Sequence, residues 1–318
     1  MKFHSIAAIF LLVFACSSVQ CSPGKSSQRQ SPEKIAWDPF LDTLQQRTLQ
    51  FFLDVAESSN GLLPDRWPAS GSPSSIASVG FGLTAYPIAV ERGLIKREVA
   101  GKRVLKTLRY LFDLPQDQHA NRGGYKGFFY HFITMKDATR MWNSELSTID
   151  TGLLIAGALC CMSYFDGKDS VETDIRHIAD TLYRRIDWKW SMGGRNGITL
   201  GWTPENGFDP GQWKGYDEAM ILHILALGSP THPVPESVWD NWTKTYVWAK
   251  FRGQEFISFA PLFGHQFSHC WIDYRGICDS YMASKGIDYF ENSRRATLTQ
   301  QSYAKRNPNH WQDYSDSV

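Results

Sequence analysis

The segment "ELSTIDTGLLIAGALCCM", residues 145–162, is apolar on nearly every face once its acidic start is passed. A helix with this pattern has no side to present to water, so it is predicted to be buried all round. Segments 76–90 and 215–227 share the pattern. Between and beside them lie amphipathic segments, which predict helices with one exposed face. These are 40–56, 99–112, 171–186 and 238–248, and a last helix is predicted at 288–305.

Buried and amphipathic helices therefore alternate, and the buried ones begin about 70 residues apart. A ring of inner helices surrounded by outer helices explains both the alternation and the period. The predicted fold class is all-α, an (α/α)6 toroid of alternating inner and outer helices. An open solenoid of helix pairs is the alternative, although its repeats are usually shorter. A closed ring needs more helices than the roughly nine that the pattern predicts, so we expect the toroid to be incomplete at its C-terminus.

The N-terminal residues predict export from the cytoplasm. Residues 1–15 hold a single lysine followed by an apolar run that is too short to span a bilayer, which is typical of a signal peptide. Ala15 precedes Cys16 as at a bacterial lipoprotein processing site, so lipidation of Cys16 is predicted, with simple secretion as the alternative. Residues 16–35 are predicted to be a flexible tether and residues 36–318 the toroid domain. We therefore expect a monomer in the bacterial cell envelope, in the periplasm or as an outer-membrane lipoprotein, held to the membrane by its lipid.

Composition excludes one partner and leaves another open. The formal net charge is +1 and no long basic run is present, so nucleic acid is not an expected partner. The chain holds 12 Trp, 13 Tyr and 19 Phe. These rings fit either a large aromatic core or a cleft whose rings stack against sugars.

Acidic residues are concentrated where two of the predicted buried helices begin. Ser144 is predicted as an N-cap, which would place Glu145 in the first turn, where the helix dipole stabilises a carboxylate. The segment "WKGYDEAMIL" repeats this arrangement at the next buried helix. If the inner helices run parallel, Glu145 and Glu218 share one mouth of the barrel. The candidate catalytic residues are Glu145, Glu218, Asp150, Glu205 and Asp217.

Two carboxylic groups across a cleft are the minimum equipment for glycoside hydrolysis, because one protonates the leaving group and the other acts as base or nucleophile. Aromatic surroundings can raise the pKa of one of them by desolvation. The alternative is that these acids only stabilise helix N-termini. Nearby tryptophans favour the sugar cleft, and either Glu145 or Glu218 is predicted as the proton donor.

Three stretches are similar to a known family: "GGYKGFFYHF" (123–132), "MWNSELSTIDTGLLIAGAL" (141–159) and "GWTPENGFDPGQWKGYDEAMILHILALGSPTHP" (201–233). They resemble the glycoamylase-like family of bacterial extracytoplasmic proteins, and the resemblance runs from about residue 37 to residue 318. It implies an (α/α)6 toroid and relates the chain to endo-acting β-1,2-glucanases that invert configuration. It also implies one acidic pair, Glu145 and Asp150, and a second acidic segment with Glu205, Asp217 and Glu218.

Further residues are predicted to contact the sugar. Arg66, in "DRWP", can hydrogen-bond a hydroxyl or pack against Trp67. The rings near 125–131 can floor subsites or simply fill the barrel mouth. His265 and His269 have a helical metal-ligand spacing, but no HExxH motif accompanies them, so neither a metal nor a cofactor is expected. The candidate substrate-binding residues are Arg66, Tyr125, Tyr130, His131, Trp142, Trp202, Trp213 and His265.

These observations predict a glycoside hydrolase that cleaves a β-linked glucan, in particular an endo-β-1,2-glucanase that uses carboxylate acid/base catalysis. Two alternatives stay open: an α-glucan hydrolase of the glucoamylase type, and a non-catalytic or truncated sugar-binding lipoprotein. The partner in each case is an oligo- or polysaccharide.

Overall fold

A computed structural model describes residues 38–119 and 121–314, in two compact units. The first unit contains residues 38–212 and 224–235, and the second contains residues 213–223 and 236–314. The predicted signal peptide, lipidation at Cys16 and tether fall outside the described residues. Within the described part of the chain, no helix is both long enough and apolar enough to cross a membrane.

The helices follow the sequence pattern closely at most of their ends. In chain order they are α1 (Pro39–Asp54), α2 (Ile76–Glu91), α3 (Arg97–Asp113), α4 (Thr148–Tyr164), α5 (Ser170–Arg185), α6 (Met220–Leu227), α7 (Ser237–Thr243), α8 (Ser280–Lys285) and α9 (Tyr289–Arg306). The first five belong to the first unit and the last three to the second. Three predicted helices were too long: α4 starts three residues after Glu145, α6 starts at Met220, and α7 ends at Thr243.

The alternation of buried and amphipathic helices is confirmed inside the first unit. Most residues of α2 and α4 are buried, whereas α3 and α5 bury one face each. The two buried helices pack against each other, and so do the two amphipathic ones. The first unit thus has an inner helix pair and an outer helix pair, as expected from hydrophobic periodicity.

Short antiparallel strands, which the sequence analysis missed, organise the long connectors. They are β1 (Ser74–Ser75), β2 (Gly124–Tyr125), β3 (Phe128–Phe129), β4 (Phe132–Ile133), β5 (Leu146–Ser147), β6 (Gly201–Thr203), β7 (Gly207–Phe208), β8 (Trp248–Phe251) and β9 (Gln254–Ile257). β1 pairs with β4, and β2 pairs with β3. β6 lies between β5 and β7 and pairs with both, while β8 and β9 form a hairpin in the second unit. Most are two residues long and therefore leave no alternating pattern in the sequence.

The second unit is built around stacked rings. Tyr216 lies 6.3 Å from both Trp242 and Tyr289, measured between ring centroids, and nearly parallel to each. Trp239 donates its ring N–H to Asp279 Oδ2 at 2.8 Å, and the Tyr289 hydroxyl donates to the same oxygen at 2.7 Å. Some of the aromatic side chains therefore form a core, which is one of the two roles that the composition left open for them.

The inner helices α2 and α4 are held at backbone contact by two glycines. A Cβ atom at Gly157 would lie 2.1 Å from the carbonyl oxygen of Gly80, and one at Gly80 would lie 2.3 Å from the carbonyl oxygen of Leu153. Neither helix can move aside without disturbing a buried layer.

We expect Gly157→Ala to lower the free energy of unfolding by about 1–3 kcal/mol, because the added methyl group would overlap the α2 backbone. Gly101→Ala on α3 is the matched control, since a Cβ there would make ordinary contact, 3.5 Å from Val171. The control should be neutral or stabilising by up to about 1 kcal/mol, the helix-propensity gain of Ala over Gly. Urea unfolding followed by circular dichroism measures both, and equal effects would contradict the close-contact interpretation.

Candidate active site

Backbone pairing at the entrances of the two inner helices places the central histidine. Residue Ser75, just before α2, pairs with Phe132 of β4, and the Ile76 N–H donates to the His131 carbonyl oxygen at 3.2 Å. On its other side, the His131 N–H donates to the Glu145 carbonyl oxygen at 2.9 Å. His131 is therefore fixed between the start of α2 and the segment that leads into α4.

The histidine lies between two carboxylates. Its Nδ1 is 2.9 Å from Glu145 Oε1, which is a hydrogen bond, and its Nε2 is 3.6 Å from Asp150 Oδ2, which is an ion-pair contact. Ser147, the N-cap of α4, accepts from the Asp150 N–H at 3.2 Å and donates its hydroxyl to the Asp150 carboxylate. The predicted N-cap Ser144 was wrong, so Glu145 precedes the helix and Asp150 occupies its first turn.

The three side chains differ in exposure. Glu145 is 38% exposed and His131 31%, whereas Asp150 is only 9% exposed. Glu145 is thus the carboxylate that a dissolved substrate can reach, and Asp150 lies behind the imidazole.

Their pKa values are displaced in different directions. Burial raises the pKa of Asp150, and the neighbouring His131 and the Ser147 hydroxyl offset this only in part. Burial also acts to raise the pKa of Glu145, but the hydrogen bond and charge of His131, with the charge of Arg140, outweigh it and leave the pKa lowered. Glu145 is therefore favoured as the ionised member of the pair.

One donor atom from each of His131, Glu145 and Asp150 fits within a cluster 4.8 Å across, which is close enough for a metal ion. The two carboxylates, however, face different nitrogens of the ring. An imidazole binds a metal through one nitrogen, so the arrangement fits a hydrogen bond to Glu145 and an ion-pair contact with Asp150 better than ligation of one ion.

Glu205 has another partner. Its two oxygens accept hydrogen bonds from Arg140 Nη1 at 2.7 Å and Nη2 at 3.0 Å. Arg140 also donates to the carbonyl oxygens of Asn143 at 2.8 Å and Ser144 at 2.6 Å, and its guanidinium lies 4.9 Å from the centre of the Tyr130 ring. The contacts of Glu205 are those of an anchor for the loop before Glu145, and its catalytic role stays a prediction.

Two tryptophans of the first unit present their rings to solvent: Trp142 is 65% exposed and Trp67 is 73% exposed. The Trp142 ring lies 5.4 Å from Phe132, whose own ring stacks on His131 at 3.9 Å. Trp142 thus extends the aromatic surface that begins at the histidine, and its contact with a sugar stays a prediction.

A second aromatic group lies near β6. Tyr125 and Trp202 are 5.5 Å apart, and Trp190 contacts both, together with Phe208 at 4.8 Å. Sequence analysis missed Trp190 and Phe208, because a ring in a connector carries no sign of which face it occupies.

Two predicted substrate contacts are buried, and a third is engaged with a neighbouring residue. Tyr130 and His265 are buried, so neither is placed to touch a substrate at the surface. Arg66 is exposed but forms an ion pair with its neighbour Asp65 at 2.6 Å. His265 and His269 are also engaged, with the Phe259 carbonyl oxygen at 3.2 Å and the Ser293 hydroxyl at 3.0 Å.

The remaining predicted acids, Asp217 and Glu218, belong to the second unit with the half-buried Trp213, and both precede α6. Asp217 is buried and accepts from the Ala219 N–H at 2.9 Å. Burial, with a smaller contribution from Glu218, raises the pKa of Asp217 to about 7. Glu145 lies in the first unit, so a shared barrel mouth for Glu145 and Glu218 stays a prediction.

Comparisons with known proteins agree with the resemblance stated above. A family model described as "Putative glucoamylase" matches residues 210–318. A curated exo-β-1,2-glucooligosaccharide sophorohydrolase (non-reducing end) of Parabacteroides distasonis is 23% identical over 312 residues, covering 88% of this chain and 42% of the relative. The chain therefore spans less than half of that relative's length.

Solved structures share the architecture. A "putative glucoamylase" of Bacteroides uniformis has a TM-score of 0.77 at 28% identity, over 89% of this chain and 70% of its own. An endo-β-1,2-glucanase of Chitinophaga pinensis, in complex with sophorotriose and glucose, has a TM-score of 0.78 at 25% identity, over 87% and 69%. The resemblance to the glycoamylase-like family is confirmed, as is a helix-rich fold of that type.

The raised pKa of Asp217 predicts a specific dependence of stability on pH. The folded state holds this proton up to about pH 7, whereas the unfolded chain releases it near pH 3.9. The contribution of Asp217 to wild-type stability should therefore fall by up to about 4 kcal/mol as pH rises from 4 to 7, at about 1.4 kcal/mol per pH unit. Asp217→Asn keeps an acceptor for the Ala219 N–H without ionising, so it should lack this loss.

Urea unfolding at several pH values compares the two proteins. Asp137→Asn is the control of opposite sign, because hydrogen bonds from Thr134 and Thr139 lower the pKa of Asp137 to about 2. Its destabilising effect should grow as pH rises from about 2 to about 4 and stay constant above that. A constant difference between Asp217→Asn and wild type from pH 4 to 8 would contradict a protonated, buried Asp217.

Proposed function

We propose that this protein is a glycoside hydrolase that cleaves a β-linked glucan, with β-1,2-glucan as its substrate and Glu145 as a carboxylate that acts in the reaction. The observation that carries the proposal is the half-exposed Glu145 carboxylate, held by His131 and bordered by an exposed tryptophan. An ionised acid beside an aromatic platform is what a retaining nucleophile or an inverting base needs.

The relatives support the substrate class. One acts on β-1,2-glucooligosaccharides and another is an endo-β-1,2-glucanase. Sugars present apolar ring faces as well as hydroxyl groups, so an exposed ring such as Trp142 suits them. An α-glucan substrate finds support in the descriptions of the matching family model and of the solved structures called "putative glucoamylase".

Glu145 suits the role of base better than that of proton donor. Its pKa is lowered, so near neutral pH it carries no proton to give to a leaving group. The sequence predicted either Glu145 or Glu218 as the proton donor, and we now assign Glu145 as the base instead. Glu218 keeps that role as a prediction.

The closeness of Glu145 and Asp150 bears on the stereochemistry. Their oxygens belong to a cluster 4.8 Å across, whereas inverting enzymes separate the two catalytic carboxyl groups by about 6.5–9.5 Å to admit a water. If hydrolysis proceeds with inversion, as in the β-1,2-glucanases that this family includes, Asp150 is not the second catalytic carboxyl group. We assign it to the support of His131.

The proposal includes the toroid, the endo mode of cleavage, the lipid anchor and the envelope location that the sequence predicts. The alternating helices of the first unit and the structural neighbours support an (α/α) toroid. The endo mode rests on the resemblance, and product lengths from a long glucan would decide between endo and exo cleavage. The lipid anchor and the envelope location rest on residues 1–35 of the sequence alone.

We expect the purified protein to release reducing sugar from linear β-1,2-glucan, and Glu145→Gln to lower kcat/KM by about 10²–10⁴-fold, the range for loss of an acid or base. Glu98→Gln is the matched control and should leave kcat/KM nearly unchanged, because Glu98 is exposed on α3, where it pairs with Lys102. Glu218→Gln, assayed in parallel, tests the predicted proton donor.

A panel of α- and β-linked glucans in the same assay defines the linkage. Calorimetry with β-1,2-oligosaccharides should show that Glu145→Gln still binds them. Binding without hydrolysis by the folded wild-type protein would contradict the enzyme and favour a sugar-binding protein. Release from α-glucan alone would contradict the proposed substrate.

A further inference from the structure

The His131 side chain is more constrained than a substrate-contacting residue needs to be. Its backbone is tied on both sides, to Ile76 and to Glu145, and its ring stacks on Phe132 with an interplanar angle of 16°. Each ring nitrogen faces one carboxylate, Nδ1 at 2.9 Å from Glu145 and Nε2 at 3.6 Å from Asp150. The ring is therefore held in one orientation, with an acid at either end.

We propose that His131 is a positioning residue for the reaction: its imidazolium orients the Glu145 carboxylate, and the buried Asp150 in turn orients the imidazolium. This inference rests on the proposed function, because it assigns the residue that prepares Glu145 for catalysis. His131 acts here through Glu145 and not by contact with the sugar.

The order of exposure supports this direction of action. Glu145 is the outermost of the three, His131 is intermediate, and Asp150 is innermost. Asp150 is itself fixed by its contacts with Ser147 at the N-terminus of α4. The N-terminus of α4 thus fixes the Asp150 carboxylate. Asp150 orients the His131 ring, and the ring orients the Glu145 carboxylate at the surface.

The charges around the ring favour its protonated form. Three acids act on His131: Glu145 from the segment before α4, Asp150 from α4 itself, and Asp65 from the loop before β1. Burial alone would lower the pKa of His131, but the hydrogen bond to Glu145 and these negative charges outweigh it and raise the pKa. Arg140 adds positive charge on the Glu145 side.

A histidine with a raised pKa keeps its charge to a higher pH than a free imidazole and loses it as pH rises through that pKa. The Glu145 carboxylate then loses its counter-ion. We therefore expect the alkaline limb of the kcat profile to depend on His131 as well as on the proton donor, and the acid limb to report Glu145.

Two amide variants separate the contacts of the ring. In His131→Asn an N–H donor can stand near the Nδ1 position, facing Glu145, whereas in His131→Gln the donor can stand near the Nε2 position, facing Asp150. We expect His131→Ala to lower kcat by about 10²-fold or more, and His131→Asn to exceed His131→Gln by about tenfold, the effect of one hydrogen bond to a charged group. KM should change by less than about threefold, because substrate contacts are unaltered.

The pH profile distinguishes positioning from a merely structural role. In His131→Asn the alkaline limb should move, because an amide does not titrate and the proton donor alone then sets that limb. The acid limb should move to higher pH, because Glu145 has lost a positive neighbour. A loss of kcat with both limbs in place would overturn the proposal.

A titration without substrate tests the ion pair on its own. Nitrogen-15 NMR of the histidine side chains gives the pKa of His131, with the exposed His177 of α5 as an internal reference. The pKa should fall in Glu145→Gln and in Asp150→Asn, since each removes a negative neighbour. A His131 pKa that is unchanged in Glu145→Gln would overturn the proposal even if the protein hydrolyses glucan. Failure to hydrolyse any glucan, with the expected fall in pKa, would refute the proposed function while leaving the ion-pair geometry established.

Discussion

The backbone contact between α2 and α4 is the constraint on which the candidate site depends. Because Gly80 and Gly157 carry no side chains, the two inner helices touch through their backbones, and their starting points keep a fixed relation. Ile76, at the start of α2, binds the His131 carbonyl, and α4 starts three residues after Glu145. A shift of one helix against the other would therefore separate the histidine from the carboxylates that it joins.

Around this framework the loop before Glu145 is fixed by polar contacts. Arg140 joins the loop before Glu145 to the β6–β7 hairpin through Glu205, and its side chain is only 9% exposed. An arginine that donates two parallel hydrogen bonds to a carboxylate fixes the orientation of the pair as well as attracting it. Glu205 and Arg140 thus hold the loop that carries Trp142 and Glu145, so the aromatic platform and the acid are positioned by one device.

The sequence was sufficient for most of the helices, although it did not predict α8, and it was insufficient for the site. Hydrophobic periodicity distinguished α2 and α4 from α3 and α5 because burial on all sides and burial on one side leave different patterns. The two-residue strands leave no pattern, although β1 and β4 decide where His131 stands. Ser144 and Ser147 are equally good N-caps by composition, and tertiary pairing of β5 decided between them. The burial of Tyr130 and His265 could not be predicted, because a ring in a cleft and a ring in a core leave the same pattern in the sequence.

The paired histidine also explains how a carboxylate could stay reactive under a bound sugar. Glu145 is partly exposed in the free protein, and a sugar ring laid on it would remove water from its oxygens. Desolvation by itself raises the pKa of a carboxyl group, so it would favour protonation of Glu145 when the bound sugar requires an ionised base. The same loss of water lowers the local dielectric and strengthens the attraction between Glu145 and a protonated His131. With the imidazolium 2.9 Å away, covering the site therefore adds an opposing effect that favours the ionised form. A lone glutamate at this position would have no such compensation, and Asp150, already buried, shows the protonated tendency that Glu145 would then share.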